Sequence, residues 1–492
     1  MLKILNYKSD IKEIKHNNFS SETYYLYTDK KNNSVICCDD LKELINSNLI
    51  PKKLEIENEA IFHLFTTSIV PPPLTVYKNL FKVGQGLKAN IKIIDKKLDI
   101  NFLENKNNNK NENEKNSFSN DDEHFILEKL FSYIQKNKME GKPNYLFQSS
   151  GKDSNMIALS YSLFGKSKDL TCLTYNNNDE FYYANKISKK LGIKHIMLEI
   201  PDIKKNIFEV KSSEYFEKLF FPNTDNAFLG YFLYNDGMLN RECNLIDGMG
   251  NDIYIGHIPK RYEFTMQFLS NFLSKFNFIT KHTGSLIINE LFKKKIFWPG
   301  LVGLPTYVNK KILKDYKDIT KFYDNKYEKD DNYFDIRSKI RGRYVDLEKF
   351  IMKLQCHAQA TDSKAIFPWT DDSLSNYFIN LDKRFLYSKK NLKNKLILRN
   401  ILEKRLGINF DNIGKKDFKF DFWKIMLWNK IFVKETILNS NLFSNKKYLL
   451  SYLDYLFIMA SRNGITSNRC KILLNQIFQI CLWYNNSEYI KK

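Results

Sequence analysis

The spacing of apolar positions changes at about residue 120. Beyond it, short apolar runs alternate with amphipathic stretches. "NYLFQ" (144–148), "DLTCLTY" (169–175), "KHIMLEI" (194–200) and the start of "ECNLIDGMGNDIYIGH" (242–257) read as strands. Between them, "NMIALSYSLFG" and "DEFYYANKISKKLG" read as helices stopped by Gly165 and Gly192. "DEHFILEKLFSYIQKN" (122–137) precedes them as an amphipathic helix. Strand–helix alternation predicts an α/β fold with a parallel sheet. From about Phe264 the pattern becomes mainly helical and rich in aromatic residues.

Before residue 104 the pattern is smaller and mixed. "ETYYLYTD" and "NSVICCDD" predict two strands around a turn, and "EIENEAIFHLFTTSIV" has helical spacing. "PPPLTVYKNLFKVGQGLKANIKIID" reads as a Pro-rich turn, a strand pair broken by Gly-Gln-Gly, and an edge strand. The polar stretch "ENKNNNKNENEKNSFSNDDE" (104–123) lacks the apolar residues needed to order itself. It divides the chain into a small α+β module (1–104), a linker or loop (105–120) and a large α/β module (121–492).

Composition narrows the class. At 43 % apolar, the chain carries enough material for a sizeable core. No run approaches the ~18 apolar residues of a membrane span. The first residues alternate charged and apolar positions and carry no signal-peptide pattern. The expectation is a soluble, cytoplasmic protein with no membrane partner. Seven cysteines without a CxxC pair, and seven scattered histidines, argue against disulfides and a zinc site. The net charge of +21 would suit nucleic acid or anionic substrates. Lys and Asn are abundant throughout, however, and no compact Arg-rich patch stands out. Compositional drift is the preferred account, and nucleic acid is not the expected partner.

The chemistry concentrates after the first strand of the large module, in "YLFQSSGKDSNMIALS" (145–160). A loop leaving a parallel strand and opening a helix is a favoured anion site. Ser149, Ser150 and Ser154 offer hydroxyls, Gly151 allows close approach, and Lys152 offers charge. Asp153 makes sense beside phosphates only if a cation comes too, and Mg²⁺ suits a carboxylate there. G-x-x-x-x-G-K-[ST] is absent. The string resembles the pyrophosphate loop Ser-Gly-Gly-x-Asp-Ser of the ATP-pyrophosphatase superfamily, with Ser150 in place of one glycine.

A second loop, "LIDGMGNDIYIGH" (245–257), resembles the Ser-Gly-Glu-Gly-x-Asp-Glu motif of the asparagine synthetase family. Ile253 after the aspartate matches its β-lactam synthetase branch. Further stretches are similar to the same family. "AIFHLFTTSIVPPPLTVYKNLFKVGQGLKANI" looks like the end of its glutamine-hydrolysing domain. "YVDLEKFIMKLQCHAQATDSKAIFPWTDD" resembles the segment around its Pro-Phe-Leu-Asp motif, at Phe367, Pro368, Trp369 and Asp371. "NKLILRNILEKRLGINFDNIGKKDF" resembles its Leu-Arg helix and Arg-x-Lys-x-x-Phe motif.

The resemblance implies a parallel-sheet, adenine nucleotide α-hydrolase-like synthetase domain. A helical C-terminal part would follow it, and an N-terminal remnant of Ntn type would precede it. It implies ATP and Mg²⁺ as cofactors, with Asp153 and Asp252 holding the metal. Phe147, Thr174, Asp247 and Gly248 would border the adenosine. Lys415, with Lys416 the alternative, would be the catalytic lysine. The implied reaction joins a small-molecule carboxylate to ammonia or another amine through an acyl-adenylate, releasing pyrophosphate.

The pattern is broken in three places. Position 2 is Leu2, where glutamine-dependent members use a cysteine nucleophile. Neither Cys37 nor Cys38 can replace it, because the thiol must sit beside the terminal amine. The N-terminal module is therefore expected to be vestigial and non-hydrolytic. Met249 and Lys364 stand where members carry residues tied to the amine-activating step, and methionine cannot act as a base. Two alternatives stay open: an RNA-modifying pyrophosphate-loop enzyme, and a non-catalytic ATP-binding relative.

Overall fold

The computed structural model describes residues 2–5, 13–15, 21–29, 31–84, 86–94, 97–104, 115–175, 178–199, 205–234, 242–256, 303–319, 322, 341–388, 390–410 and 422–491. The predicted linker lies outside these from 105 to 114. At its end, Lys115 pairs backbone to backbone with Asn380 and Asp382, and Asn120 already opens a helix.

The N-terminal part consists of two antiparallel sheets. β1 (Lys3–Leu5), β4 (Ser34–Cys38), β3 (Tyr24–Asp29) and β5 (Leu80–Val83) form one sheet, in that order. β2 (Glu13–Lys15), β6 (Leu87–Ile94) and β7 (Lys97–Glu104) form the other. The strands on either side of Gly-Gln-Gly form as read from the sequence, but they do not pair with each other. β5 pairs with β3, whereas β6 pairs along its whole length with β7 and also with β2. The long β6–β7 ladder satisfies more backbone groups than a four-residue β5 could, and the turn carries the chain from one sheet to the other.

The large part is mixed α/β, as expected. β8 (Asn144–Phe147), β9 (Leu170–Tyr175), β10 (Lys194–Leu198), β11 (Asn244–Asp247) and β12 (Lys364–Ile366) form a fully parallel sheet ordered β10-β9-β8-β11-β12. Successive residues alternate faces. Leu146, Cys172, Ile246 and Ile366 enter a core with the helices Asn120–Asn137, Lys152–Leu163 and Leu396–Leu406. Leu173, Leu198 and Leu245 face the opposite way. Their core runs through the helices Lys205–Glu217 and Phe228–Tyr234 into the C-terminal helices Lys446–Ala460 and Ile465–Asn486. It also takes in Phe62, Phe65 and Tyr77, so the N-terminal part shares one continuous apolar interior with the large part.

The strand order decides where a ligand belongs. From β8 the chain moves outward to β9 and β10, then returns across the sheet to β11 on the other side of β8. The chain order reverses between β8 and β11, and a ligand crevice is expected at the carboxyl ends of strands at such a switch point. Gly165 and Gly192 end their helices in the left-handed region, at φ 68° and 66°, as their positions predicted. Among the described residues no helix is long and apolar enough to cross a membrane.

Candidate functional site

The two loops singled out in the sequence leave β8 and β11, which are neighbours paired in register from Asn144–Asn244 to Phe147–Asp247. They therefore emerge side by side at the crevice. Contact between them depends on Gly248. A Cβ there would lie 2.8 Å from the Ser154 backbone nitrogen and 3.1 Å from the Asp153 Cβ. Only a residue without a side chain lets the second loop sit this close to the first.

The first loop is shaped from within. Ser149 Oγ accepts from the Gly151 N–H at 3.0 Å, and Ser154 Oγ accepts from the Ser149 N–H at 3.2 Å. Asn155, fully buried, donates to the Ser149 and Gly151 carbonyls at 3.1 and 2.6 Å. Gln148 donates to Asn155 at 2.7 Å and accepts from Ser188 at 2.6 Å. A buried polar network satisfied to this extent fixes one conformation. The helix Lys152–Leu163 then begins without a side-chain cap, because Gly151 occupies the N-cap position. Its first N–H groups and its dipole point into the crevice. Ser150 and Lys152 are buried, and the Ser150 N–H donates to Glu180.

Asp153 and Asp252 come together on one cation, the ammonium of Lys395. Lys395 Nζ lies 2.6 Å from Asp153 Oδ2, 2.7 Å from Asp252 Oδ1 and 2.9 Å from Asn251 Oδ1. The Asn251 amide donates its N–H to the other Asp153 oxygen at 2.7 Å, which fixes the orientation of both groups. Burial pulls the Lys395 pKa down, but Asp153 and Asp252 outweigh it, and the net shift is upward. The lysine is held as a cation.

Lys395 is placed by its backbone. The hairpin β13 (Tyr387–Ser388) and β14 (Lys393–Asn394) delivers it to the N-cap of the helix Leu396–Leu406. It adopts the left-handed conformation there, at φ 58° and ψ 40°, which is uncommon for lysine. Asn394 Nδ2 donates to the Gly256 carbonyl at 3.3 Å, tying the hairpin to the end of the second loop. Trp369, fully buried, donates from Nε1 to the Asp153 carbonyl at 3.2 Å and braces the first loop from beneath.

The donor set suits the expected metal. Two carboxylates and an amide carbonyl converge on one point, all through oxygen, and a positive group already occupies it. Oxygen-only sites of this charge favour Mg²⁺ over softer ions. Asp153, Asp252 and the Asn251 carbonyl are the groups that would hold it.

The remaining expected residues have varied positions. Phe147 ends β8 beside the loops, stacked on Tyr175 with centroids 6.0 Å apart and touching the Tyr231 ring at 5.2 Å. Asp247 accepts from the Met249 N–H at 2.9 Å within its own loop. Thr174 is buried. Its hydroxyl donates to the Gln148 carbonyl at 2.7 Å and lies 2.8 Å from His195 Nε2, so it supports the first loop from inside the sheet. Met249 is half-buried against the apolar core. Lys364 opens β12 and is exposed, in register with Asn244 at the start of β11. The loops leave from the other ends of these strands. Asp371 caps the helix Asp372–Ile379, accepting from Leu374 N–H at 3.0 Å. The Leu2 N–H donates to Glu43 at 3.2 Å. Lys415 and Lys416 lie outside the described residues.

Sequence reasoning missed Lys395 and Asn251. Both lie inside the quoted motif stretches, but one lysine among so many carries no local signal. Only the pairing of β8 with β11 and the hairpin's return bring Lys395 to the aspartates. No protein-family model matches the chain, and no curated protein matches it in sequence.

Proposed function

We propose that the chain is an ATP-dependent, amide-forming ligase of the asparagine synthetase type. The observation that carries this reading is the meeting of Asp153 and Asp252, from two adjacent loops at the switch point of a parallel sheet, on one cation. The uncapped start of the helix at Lys152 would take the nucleotide's phosphates, and the Phe147–Tyr175–Tyr231 cluster would flank the base. A substrate carboxylate oxygen would bond the α-phosphorus as the bond to pyrophosphate breaks. Bound Mg²⁺ supplies charge neutralisation for that leaving group. Asn251 and the Gln148–Asn155 network hold the two loops in place, which limits reorganisation during the reaction. An amine nitrogen would then bond the acyl carbon as AMP leaves. Lys415, or Lys416, is the proposed source of added positive charge. The two N-terminal sheets support reading that part as an Ntn-type remnant, with Leu2 in place of a nucleophile.

ATP–pyrophosphate exchange with Mg²⁺, across a panel of carboxylates including aspartate, tests this reading. Exchange that requires one acid and disappears in Asp153→Ala is the expected result. Nucleotide binding without exchange for any acid would sink the ligase and leave a non-catalytic ATP-binding protein. RNA retained through purification and released by salt would instead favour the RNA-modifying alternative.

A further inference from the structure

We propose that Lys395 is a displaceable place-holder for the divalent cation, so that the metal enters the site together with the nucleotide and not ahead of it. The inference rests on the metal–nucleotide reading of the two loops and adds the order in which the site fills.

The argument begins with space. The Lys395 ammonium lies 2.6 to 2.9 Å from Asp153, Asp252 and Asn251, at the point where their oxygens converge. A Mg²⁺ ion binds oxygens at about 2.1 Å. An ion at that point and an ammonium in its present place would overlap, so one excludes the other.

Charge gives the same result. Two carboxylates share one ammonium at this point. With the ammonium gone the point becomes more negative by one charge, which favours a divalent ion. The lysine therefore lowers the affinity of the empty site for metal, both by occupying it and by repulsion.

Displacement needs a destination. Lys395 is only 5 % exposed, and moving a buried ammonium off its carboxylates without another anion is costly. A nucleotide polyphosphate at the start of the Lys152–Leu163 helix, where Asp153 itself sits, would supply that anion. The side chain is long enough to swing while its backbone stays fixed between hairpin and helix. Metal and polyphosphate thus bind cooperatively through one lysine.

Titration of the full chain with Mn²⁺, read by electron paramagnetic resonance with and without β,γ-imido-ATP, tests this. The wild type should bind Mn²⁺ at least about tenfold more tightly with the nucleotide present. Lys395→Met should bind Mn²⁺ alone at least about tenfold more tightly than the wild type, with the coupling reduced. Asp252→Asn should lose metal binding in either background. Equal Mn²⁺ affinity with and without nucleotide in the wild type would overturn the place-holder. Lys395→Gln takes its place in the same comparison if Lys395→Met fails to fold. Unchanged metal affinity in a folded Lys395→Met would overturn it as well. If β,γ-imido-ATP binds neither protein, the nucleotide reading itself falls, whereas nucleotide binding without coupling removes only the place-holder.

Discussion

Lys82 and Lys395 are both almost fully buried, yet Lys82 faces one carboxylate and Lys395 faces two. Lys82 lies on β5 of the N-terminal sheet and ion-pairs with Glu348, on a π-helical turn (Arg341–Ile351) of the large part. Both partners are buried, and a small cavity lined by Ser68, Thr224 and Met352 lies beside them. One cation against one anion is a closed account, suited to holding two parts together. Lys395 sits where two loops meet and is shared between two carboxylates. Burial alone does not separate a structural lysine from a functional one. The number and placement of the carboxylates that share it do.

The largest expected effect falls on the two-carboxylate site. Asp252→Asn should reduce ATP–pyrophosphate exchange at least about a hundredfold, since it removes one of the two proposed metal ligands. Glu348→Gln should leave exchange per folded molecule nearly unchanged. If both variants lose exchange equally, the distinction between the sites is wrong.

Stability should show the reverse. Lys82→Met strands a buried carboxylate and should cost about 3–5 kcal/mol in denaturant unfolding. Burial raises the Glu348 pKa, and Lys82 only partly offsets it. A carboxyl with a raised folded pKa favours folding while protonated, and that advantage is lost as pH rises through the folded value. The loss in Lys82→Met should therefore shrink as pH falls toward 4.5, the ordinary glutamate value. Lys82→Met with Glu348→Met should recover most of the stability, because a well-packed apolar pair often equals a buried ion pair. Mg²⁺ with nucleotide should raise the midpoint of the single variant only as much as that of the wild type, so the gap between them should remain.

Lys395→Met should also destabilise the metal-free protein, by a similar or smaller amount, because Asp153 and Asp252 would then repel each other. Here Mg²⁺ with nucleotide should close the gap to the wild type, since the variant's freed site should bind metal more tightly and ligand binding to the folded state adds stability by mass action. Thermal unfolding with and without Mg²⁺ would decide it. A Lys395→Met protein that metal cannot rescue would place Lys395 with Lys82, as a structural ion.

The sequence made the strands β8 to β11 legible because each is an apolar run bounded by polar or glycine-containing turns. The two aspartate loops were legible because a carboxylate in a glycine-containing turn between strand and helix is chemically conspicuous. β12 was not. Lys364–Ile366 is three residues beginning with an exposed lysine, and only pairing with β11 makes it a strand. Lys395 was hidden for the same reason. Its role depends on a hairpin that brings back a residue 143 positions beyond Asp252, and no local spacing encodes that return. The partners of β5 and β6 likewise depend on which ladder is longer and not on the turn between them.

The smallest expected effect concerns the approach of the loops that makes the second site possible. Gly248→Ala would place a methyl 2.8 Å from the Ser154 nitrogen and 3.1 Å from the Asp153 Cβ. Both are parts of a helix start locked by Asn155 and Trp369, so the neighbour cannot yield freely. The second loop must move instead, drawing Asp252 away from Asp153. Overpacking of this kind costs about 1–3 kcal/mol. The stability loss should be modest, while the Mn²⁺ affinity measured with nucleotide should fall by a larger factor than global unfolding explains. The Lys82–Glu348 pair lies elsewhere, so the pH dependence of stability it sets should remain that of the wild type. A Gly248→Ala protein with wild-type metal affinity would mean that the two aspartates tolerate separation, and that their meeting on one cation is not what the site requires.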